Sequence, residues 1–247
     1  MKKFITYFSI VAVVFFSCDN NDTSNGNVSS NDGQGGSLAV FALKGNYLYT
    51  VDYQNLNVFN IQNEKSPVKV NTISIGFDIE TLFSFKEYLF IGSQRGMFIY
   101  DVSSPELPKK VSESNHFTAC DPVVANDEYA YVTLHSNTNC GGMQNELLTY
   151  DIADVYNPEL LNVRELDGPK GLSLYNNYLL VCDSDVKIFD VSDPTNSIYV
   201  TSIPVTYSFD IIVRENHVFI ISEIGIYQYL LDNDNIEGYE KLSELIF

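Results

Sequence analysis

A short aromatic pattern returns five times along the chain, at steps of about 40 residues. It first reads NYLYT around Tyr47, and its later forms are centred on Tyr88, Tyr129, Tyr178 and His217. The steps between these positions are 41, 41, 49 and 39 residues. A second pattern, VFNI in its first form, returns with steps of 41, 50, 39 and 40 residues. Self-similarity at this period indicates a fold built from equivalent supersecondary units.

Each unit contains short runs of Val, Ile, Phe and Tyr that Gly, Asn and Pro separate, a pattern typical of strands and turns. In the second unit we predict four strands, in the sequences ETLFSFK, YLFIGS, GMFIYDV and PKKVSES. A four-stranded sheet repeated at about 40 residues predicts a propeller blade. The predicted fold class is all-β: a five-bladed β-propeller of four-stranded antiparallel blades over residues 37–247. The blades are expected at about 37–77, 78–118, 119–168, 169–206 and 207–247.

The turn motifs identify a family resemblance. The sequences IYDVSSPELP, TYDIADVYNPEL and IFDVSDPTN resemble those of the LVIVD-repeat family of bacterial β-propeller lipoproteins. The stretch FTACDPVVANDEYAYVTLHSNTNCGG is similar to a unit of its envelope members. The resemblance covers about residues 38–247 and implies the propeller fold, but it implies no reaction. The first and last units depart from the motif, as terminal units of repeat proteins often do.

Three aspartates recur in these motifs, Asp101, Asp151 and Asp190. Each precedes a Ser or Ala and then a Pro. This order favours an Asx-type turn between the third and fourth strands over a metal site.

The third unit is longer than the others because about nine extra residues stand in the loop HSNTNCGGMQNE. Antiparallel pairing brings Cys140, in this loop, to the same rim as Cys120, at the start of the first strand. We predict a disulfide between them in an oxidising envelope, which contributes about 3 kcal/mol. The alternative is a zinc site that adds His116 and His135 from the same rim. Cys182 is expected to be a free thiol in the core.

The chain begins with Lys2 and Lys3, followed by an apolar run, Phe4–Phe16, that ends at Ser17 and Cys18. Thirteen apolar residues are too few to span a bilayer, which needs about 20, so residues 1–17 are predicted to be a secretory signal peptide. The sequence FFSC resembles the lipobox of bacterial lipoproteins. That resemblance implies lipidation of Cys18 and a permanent membrane anchor. The alternative is an ordinary signal peptide with an incidental cysteine.

Residues 18–36 are predicted to form the lipidated cysteine and a flexible tether. Of the 18 residues 19–36, 17 are Asn, Asp, Ser, Thr, Gly or Gln, a composition that buries too little apolar surface to fold. The expected location is the bacterial cell envelope, on the outer membrane, with the periplasmic and surface sides both open. We expect a monomeric domain.

The charge of the chain disfavours one class of partner. Removal of residues 1–17 takes away two of 14 basic side chains, which leaves 12 against 32 acidic ones, a formal net charge of −20. Because phosphate contacts need clustered Lys and Arg, nucleic acid is an unfavourable ligand.

A binding site is predicted at the upper mouth of the central channel, which first strands line. Alignment of these strands brings Glu80, Asp121 and Asp210 together there, and three carboxylates can bind Ca²⁺. The alternative is three solvated acids, or acids paired with Arg95 and Lys170 on the same rim.

No catalytic motif is recognisable: the sequence has no GxSxG, no HExxH and no phosphate-binding glycine loop. The expected function is therefore a lipid-anchored, non-catalytic binding or scaffold module for an envelope protein or glycan. The alternative is a propeller enzyme, a metal-assisted polysaccharide lyase or hydrolase, that uses the carboxylates at the channel mouth.

Overall fold

Five antiparallel sheets of four strands make up the described part of the chain, and each sheet takes its strands consecutively from the sequence. The computed structural model describes residues 35–115, 122–136 and 143–247, and every strand lies in the unit Asn31–Phe247. The predicted five-bladed β-propeller of four-stranded antiparallel blades is confirmed. Within the described residues, no helix has the length and apolarity needed to cross a membrane.

The strands alternate with short turns throughout. Blade one consists of β1 (Phe41–Lys44), β2 (Tyr47–Val51), β3 (Asn55–Asn60) and β4 (Val68–Ser74), and blade two of β5 (Ile79–Phe85), β6 (Tyr88–Ser93), β7 (Gly96–Asp101) and β8 (Lys109–Asn115). Blade three consists of β9 (Val123–Ala125), β10 (Tyr129–Leu134), β11 (Glu146–Asp151) and β12 (Glu159–Glu165), and blade four of β13 (Leu172–Tyr175), β14 (Tyr178–Asp183), β15 (Asp185–Asp190) and β16 (Ile198–Ile203). Blade five consists of β17 (Ser208–Arg214), β18 (His217–Ser222), β19 (Gly225–Leu230) and β20 (Glu240–Ile246).

The antiparallel order defines two rims. The upper rim holds the turns between second and third strands together with the connections between blades. The lower rim holds the turns between first and second strands and the connections between third and fourth strands. Several first-to-second turns place a residue in the left-handed region, at Gly45 (φ 54°), Lys86 (φ 48°), Asn176 (φ 52°) and Glu215 (φ 56°). Such angles suit two-residue hairpin turns, whose twist matches that of the strands.

The recurring aspartates close the lower-rim connections as predicted. The backbone N–H two residues later donates to each carboxylate, over 2.7 Å at Asp101 and 2.9 Å at Asp151 and Asp190. Both terminal blades, whose sequences depart from the motif, keep a turn of this kind. Asn60 accepts the bond in blade one and Asp232 in blade five, each over 2.9 Å.

Apolar packing between neighbouring blades forms the core. One buried cluster joins blades one and two and includes Tyr49 and Leu89. A second joins blades two, three and four around Phe90 and Tyr131. A third joins blades four and five and includes Ile220. The inner blades are therefore covered on both faces, so that five of the six residues of β6 are buried.

The terminal blades are fully covered on one face only. In β18, buried Val218 and Ile220 alternate with half-buried Phe219 and Ile221. The first strand of each blade packs against the first strand of the next blade, from β1 to β17. No comparable contact joins β17 to β1, although both strands are described in full. We call this boundary between blades five and one the seam.

The segment before β1 forms hydrogen bonds with the blades around the seam. Gly36 and Ser37 are buried, although composition places Gly36 in the tether. The Ser37 hydroxyl accepts the N–H of Leu172 in blade four over 2.8 Å and donates to Asp210 in blade five over 3.3 Å. Ala39 accepts the N–H of Leu82 in blade two over 2.7 Å. Four blades thus meet around residues 36–39.

We expect Gly171→Ala to destabilise the fold. A Cβ at Gly171 would stand 2.6 Å from Asp210 Oδ1 and 2.7 Å from the Phe209 carbonyl oxygen, so part of the clash is with backbone. Overpacking of this kind typically costs about 1–3 kcal/mol. Urea unfolding measures it, with Gly168→Ala as the control because a Cβ there meets nothing within 4 Å. Equal stability of the two variants would contradict the close approach of blades four and five.

Candidate functional site

Asp210 is buried at the seam, and its carboxylate accepts several hydrogen bonds from the chain. Its carboxylate accepts the Ser37 hydroxyl and, over 2.9 Å, the N–H of Ile211. The N–H groups of Ser37 and Leu38 also bond to it. A Cβ on Gly36 would overlap this carboxylate. Asp210 lies near the upper end of β17, and its described contacts hold the chain segment that precedes β1.

Burial raises the pKa of Asp210 above the ordinary value for aspartate, while the hydrogen bonds from Ile211, Leu38 and Ser37 act in the opposite direction. The raised pKa means that the folded state favours the protonated carboxyl. The free energy that Asp210 contributes to folding is therefore fully present below the ordinary aspartate pKa of about 3.9 and is lost as the pH rises through the raised value.

Glu80 and Arg95 belong to a second group of polar residues, on the upper rim of blades one and two. Gln94 donates to Glu80 over 3.2 Å, and the Tyr53 hydroxyl donates to Asp78. The hydrogen bond with Asp78 raises the pKa of Tyr53 most, and burial and the charges of Asp78 and Glu80 raise it further. The charge of Arg95 lowers it. These five side chains, which we call the rim cluster, are therefore within electrostatic reach of one another.

The carboxyl of Glu80 is half-buried. Burial raises the pKa of Glu80, the bond from Gln94 lowers it, and the charge of Asp78 raises it further. Asp78 adopts a left-handed backbone conformation, with φ at 63°, which is uncommon outside glycine. Strained backbone of this kind often occurs at binding sites.

Lys170 and His135 lie on the upper rim of adjacent blades. Lys170 donates its backbone N–H to Cys182 over 2.8 Å and accepts the Thr133 hydroxyl over 2.5 Å. Burial and the charge of Lys170 lower the pKa of His135. The buried Nδ1 of His135 has no hydrogen-bond partner among the described residues.

Several predicted residues lie outside the described ranges: Cys18, Cys120, Cys140, His116 and Asp121. Lipidation, the disulfide, the zinc alternative and the three-carboxylate Ca²⁺ site therefore stay predictions. Within residues 35–115, 122–136 and 143–247, no three His, Cys, Asp or Glu side chains are grouped so as to hold a metal ion. Cys182 is a free, buried thiol, and burial raises its pKa to about 12.

A groove that the sequence did not predict lies between blades three and four. It has a volume of about 520 Å³ and is lined by Arg164, Glu165, Leu166, Asp167, Lys187, Phe189 and Tyr199. The guanidinium of Arg164 stands 4.9 Å from the ring centre of Phe189 and donates to the carbonyl of Ser197. Tyr199 meets the edge of Phe189, with ring centres 6.1 Å apart, and is 49% exposed. The groove thus combines an accessible aromatic ring with charged groups.

Asp183 fixes the upper end of this groove. Its buried carboxylate accepts the N–H of Gly168 over 2.6 Å and of Asp167 over 3.2 Å. Lys187 pairs with it over 2.8 Å and with Asp167 over 2.9 Å. Burial lowers the pKa of Lys187, but the bonds with these two aspartates raise it by more.

The groove also adjoins the blade-three insert, because Leu166 donates its N–H to Asn145 over 2.8 Å.

The comparisons with known proteins identify one repeat and a fold. The sequence model of the LVIVD repeat matches residues 169–204, and no curated protein matches the chain. Similar solved structures include a protein from Lactobacillus plantarum, with 12% identity and a TM-score of 0.68 over 81% of this chain and 68% of that one. The computationally designed Ika8 protein has 11% identity and a TM-score of 0.57 over 83% and 60%. Hsv2p of Kluyveromyces lactis has 10% identity and a TM-score of 0.54 over 81% and 60%.

We expect the stability of the protein to depend on pH through Asp210. The wild type should lose its stability advantage over Asp210→Asn as the pH rises from about 4, because the folded-state pKa is raised. Urea unfolding at a series of pH values measures this difference. Asp101→Asn is the control of opposite sign: the hydrogen bond from Ser103 lowers the pKa of Asp101, so its contribution is lost as the pH falls below about 4. A pH-independent difference for Asp210→Asn would contradict the burial argument.

Identities this low indicate the fold alone, and the fold and the matched repeat agree with the turn motifs of the sequence. The chain is a five-bladed β-propeller that carries an LVIVD repeat.

Proposed function

We propose that this propeller is a lipid-anchored, non-catalytic binding or scaffold module of the bacterial envelope, and that it takes a protein or glycan partner in the groove between blades three and four. The groove is the observation that carries the proposal. Its exposed Tyr199 offers a face for a sugar ring or an apolar side chain. Arg164, Glu165 and Asp167 offer a cation and two acids for hydrogen bonds.

The rigidity of the groove supports binding. Arg164 is held by the carbonyl of Ser197 and the ring of Phe189, and Lys187 is held by two aspartates. Because these side chains are ordered before a partner arrives, little conformational entropy is lost on association. The lipid at Cys18 and the tether would keep this surface at the envelope.

The test uses the groove residue Tyr199. We expect Tyr199→Ala to weaken binding to oligosaccharides on an array of bacterial envelope glycans at least tenfold, about 1.4 kcal/mol. For a protein partner, a photo-crosslinking amino acid at position 199 should give one discrete adduct in intact envelopes. Tyr156, which is also exposed but lies on the lower rim, is the matched control for both arms. Glycan binding that survives Tyr199→Ala, or identical adducts from positions 199 and 156, would contradict the proposal.

The rim cluster favours a second candidate, a polysaccharide lyase or hydrolase. A general acid needs a carboxyl that stays protonated near neutral pH, and burial moves Glu80 in that direction. Arg95 would neutralise a uronate carboxylate of the substrate, and Asp121 and Asp210 would complete a metal site.

The enzyme candidate predicts turnover of uronate-containing polysaccharide that Glu80→Gln abolishes and a chelator suppresses. Glu87→Gln is the control, since Glu87 is exposed on the lower rim and pairs with Lys44 over 3.4 Å. Chain cleavage is followed by reducing-end release. Absence of turnover in the wild type with Ca²⁺ present would remove this candidate and leave the binding module.

A further inference from the structure

A further pocket lies on the lower rim, between blades four and five. It has a volume of about 500 Å³ and is bounded by the β13–β14 turn, the β17–β18 turn and the β19–β20 connection. Three asparagines, one glutamate and one tyrosine line it together with the apolar side chains of Leu174 and Val213. We call it the lower pocket. Its volume falls in the range of about 300–1,000 Å³ that is typical of small-molecule sites.

Lysines join the corresponding turns elsewhere on the lower rim. Lys86, in the turn of blade two, pairs with Asp127 in the turn of blade three. Lys44, at the end of β1, pairs with Glu87 in the turn of blade two over 3.4 Å. An ammonium group that links an acid on one turn to the turn of the preceding blade is therefore a repeated feature of this rim.

The same place between blades four and five has the acid without the lysine. Asn176 occupies the position of Lys86, because each is the first residue of its two-residue turn. Both have a left-handed backbone, with φ at 52° and 48°. The strand register gives Glu215 the position of Asp127. The ion pair of blades two and three is thus replaced by an amide that faces a carboxylate.

The carboxylate of Glu215 has no cation in the described part of the chain. Glu215 alone is charged among the described residues that line the lower pocket, and no Lys or Arg of the described ranges pairs with it. Arg214 lies on the opposite face of β17 from Val213, because successive strand residues alternate. Burial raises the pKa of Tyr175 most, and the charge of Asp232 raises it further. A second acid is therefore within electrostatic reach of the pocket wall.

The asparagines surround this acid with donors and acceptors. Tyr175 donates its hydroxyl to Oδ1 of Asn233, which leaves the Nδ2 group of Asn233 to donate to a ligand. Asn176 and Asn216 line the same pocket, and an amide side chain both donates and accepts hydrogen bonds. Such groups suit the hydroxyls of a sugar, each of which also donates and accepts.

We propose that the lower pocket binds an amino sugar, whose ammonium group pairs with Glu215 and whose hydroxyls bond to the asparagine amides. The ammonium group takes the place that the Lys86 ammonium has beside Asp127. Charge-assisted hydrogen bonds are stronger than neutral ones, so the ammonium group determines the preference for an amino sugar over a neutral sugar. The lower pocket shares no lining residue with the groove between blades three and four, and the proposal does not depend on the function of that groove.

Titration calorimetry with small probes tests the proposal on the full-length protein in a non-glycosidic detergent. The probe is glucosamine at a pH of about 6, below the pKa of about 8 of an amine of this kind. We expect glucosamine to bind about fivefold more tightly than glucose or N-acetylglucosamine, which lack the ammonium group. Propylamine, which has the ammonium group without the hydroxyls, should also bind more weakly than glucosamine.

Two variants test the position of the ligand. Asn176→Lys supplies the lysine that blade two has in the same backbone conformation, so it should pair with Glu215 and abolish glucosamine binding. Asn177→Lys is the matched control, because it adds the same charge at a neighbouring exposed residue that does not line the pocket. Glu215→Gln should remove the preference for glucosamine over glucose. Its control is Glu128→Gln, which removes an exposed acid from the turn of blade three.

The outcomes distinguish the lower pocket from other sites. No saturable binding of glucosamine by the wild type overturns the proposal, and so does equal binding of glucose and glucosamine. Glucosamine binding that survives both Asn176→Lys and Glu215→Gln places the ligand elsewhere and also overturns it. Tyr199→Ala, in the groove, should leave glucosamine binding unchanged, so failure of the groove proposal and failure of this one are separate results. Circular dichroism checks the fold of each variant.

Discussion

Each blade is stable only when neighbouring sheets cover its apolar faces, and this constraint determines the rest of the structure. Blades two, three and four satisfy it on both sides through three buried clusters, two of which include Leu89 and Phe90 on opposite faces of one strand. Because the covered faces carry the stability, the rims are free to differ between blades. The rim cluster of blades one and two lies outside these faces.

The ring has two ends, and at those ends the constraint is met in another way. All four strands of each sheet come from one continuous stretch of chain, so no shared strand joins blade five to blade one. Residues 36–39 take this role by bonding to Leu172, Asp210 and Leu82 in three different blades. The contact depends on a buried carboxyl rather than on apolar area, since β18 and β19 bury only alternate residues. We therefore expect the stability of the seam to respond to pH.

Local sequence signals predicted the local structure well. The recurrence of the aromatic pattern predicted the number of blades. The order Asp, small residue, Pro predicted the turns at Asp101, Asp151 and Asp190. Contacts between distant residues left no such signal. Ser37 and Asp210 are 173 positions apart, so alignment of first strands placed Asp210 at the channel mouth without showing what it holds there. The groove is assembled from two blades, and the stacking of Arg164 on Phe189 follows from no motif.

The same reasoning explains why we propose the groove, and not the channel mouth, as the partner site. Asp210, which the sequence predicts at the mouth, accepts bonds from the chain itself, so a ligand at this carboxylate has to replace its contacts with Ser37 and Leu38. In the groove, Asp183 and Lys187 neutralise each other and set the backbone of Asp167 and Gly168, while Tyr199 stays accessible. A partner that contacts Tyr199 would leave these bonds of Asp183 and Lys187 in place. Under the proposed function, the partner contact at Tyr199 is therefore separate from the contacts that Asp183 and Lys187 make with Asp167 and Gly168.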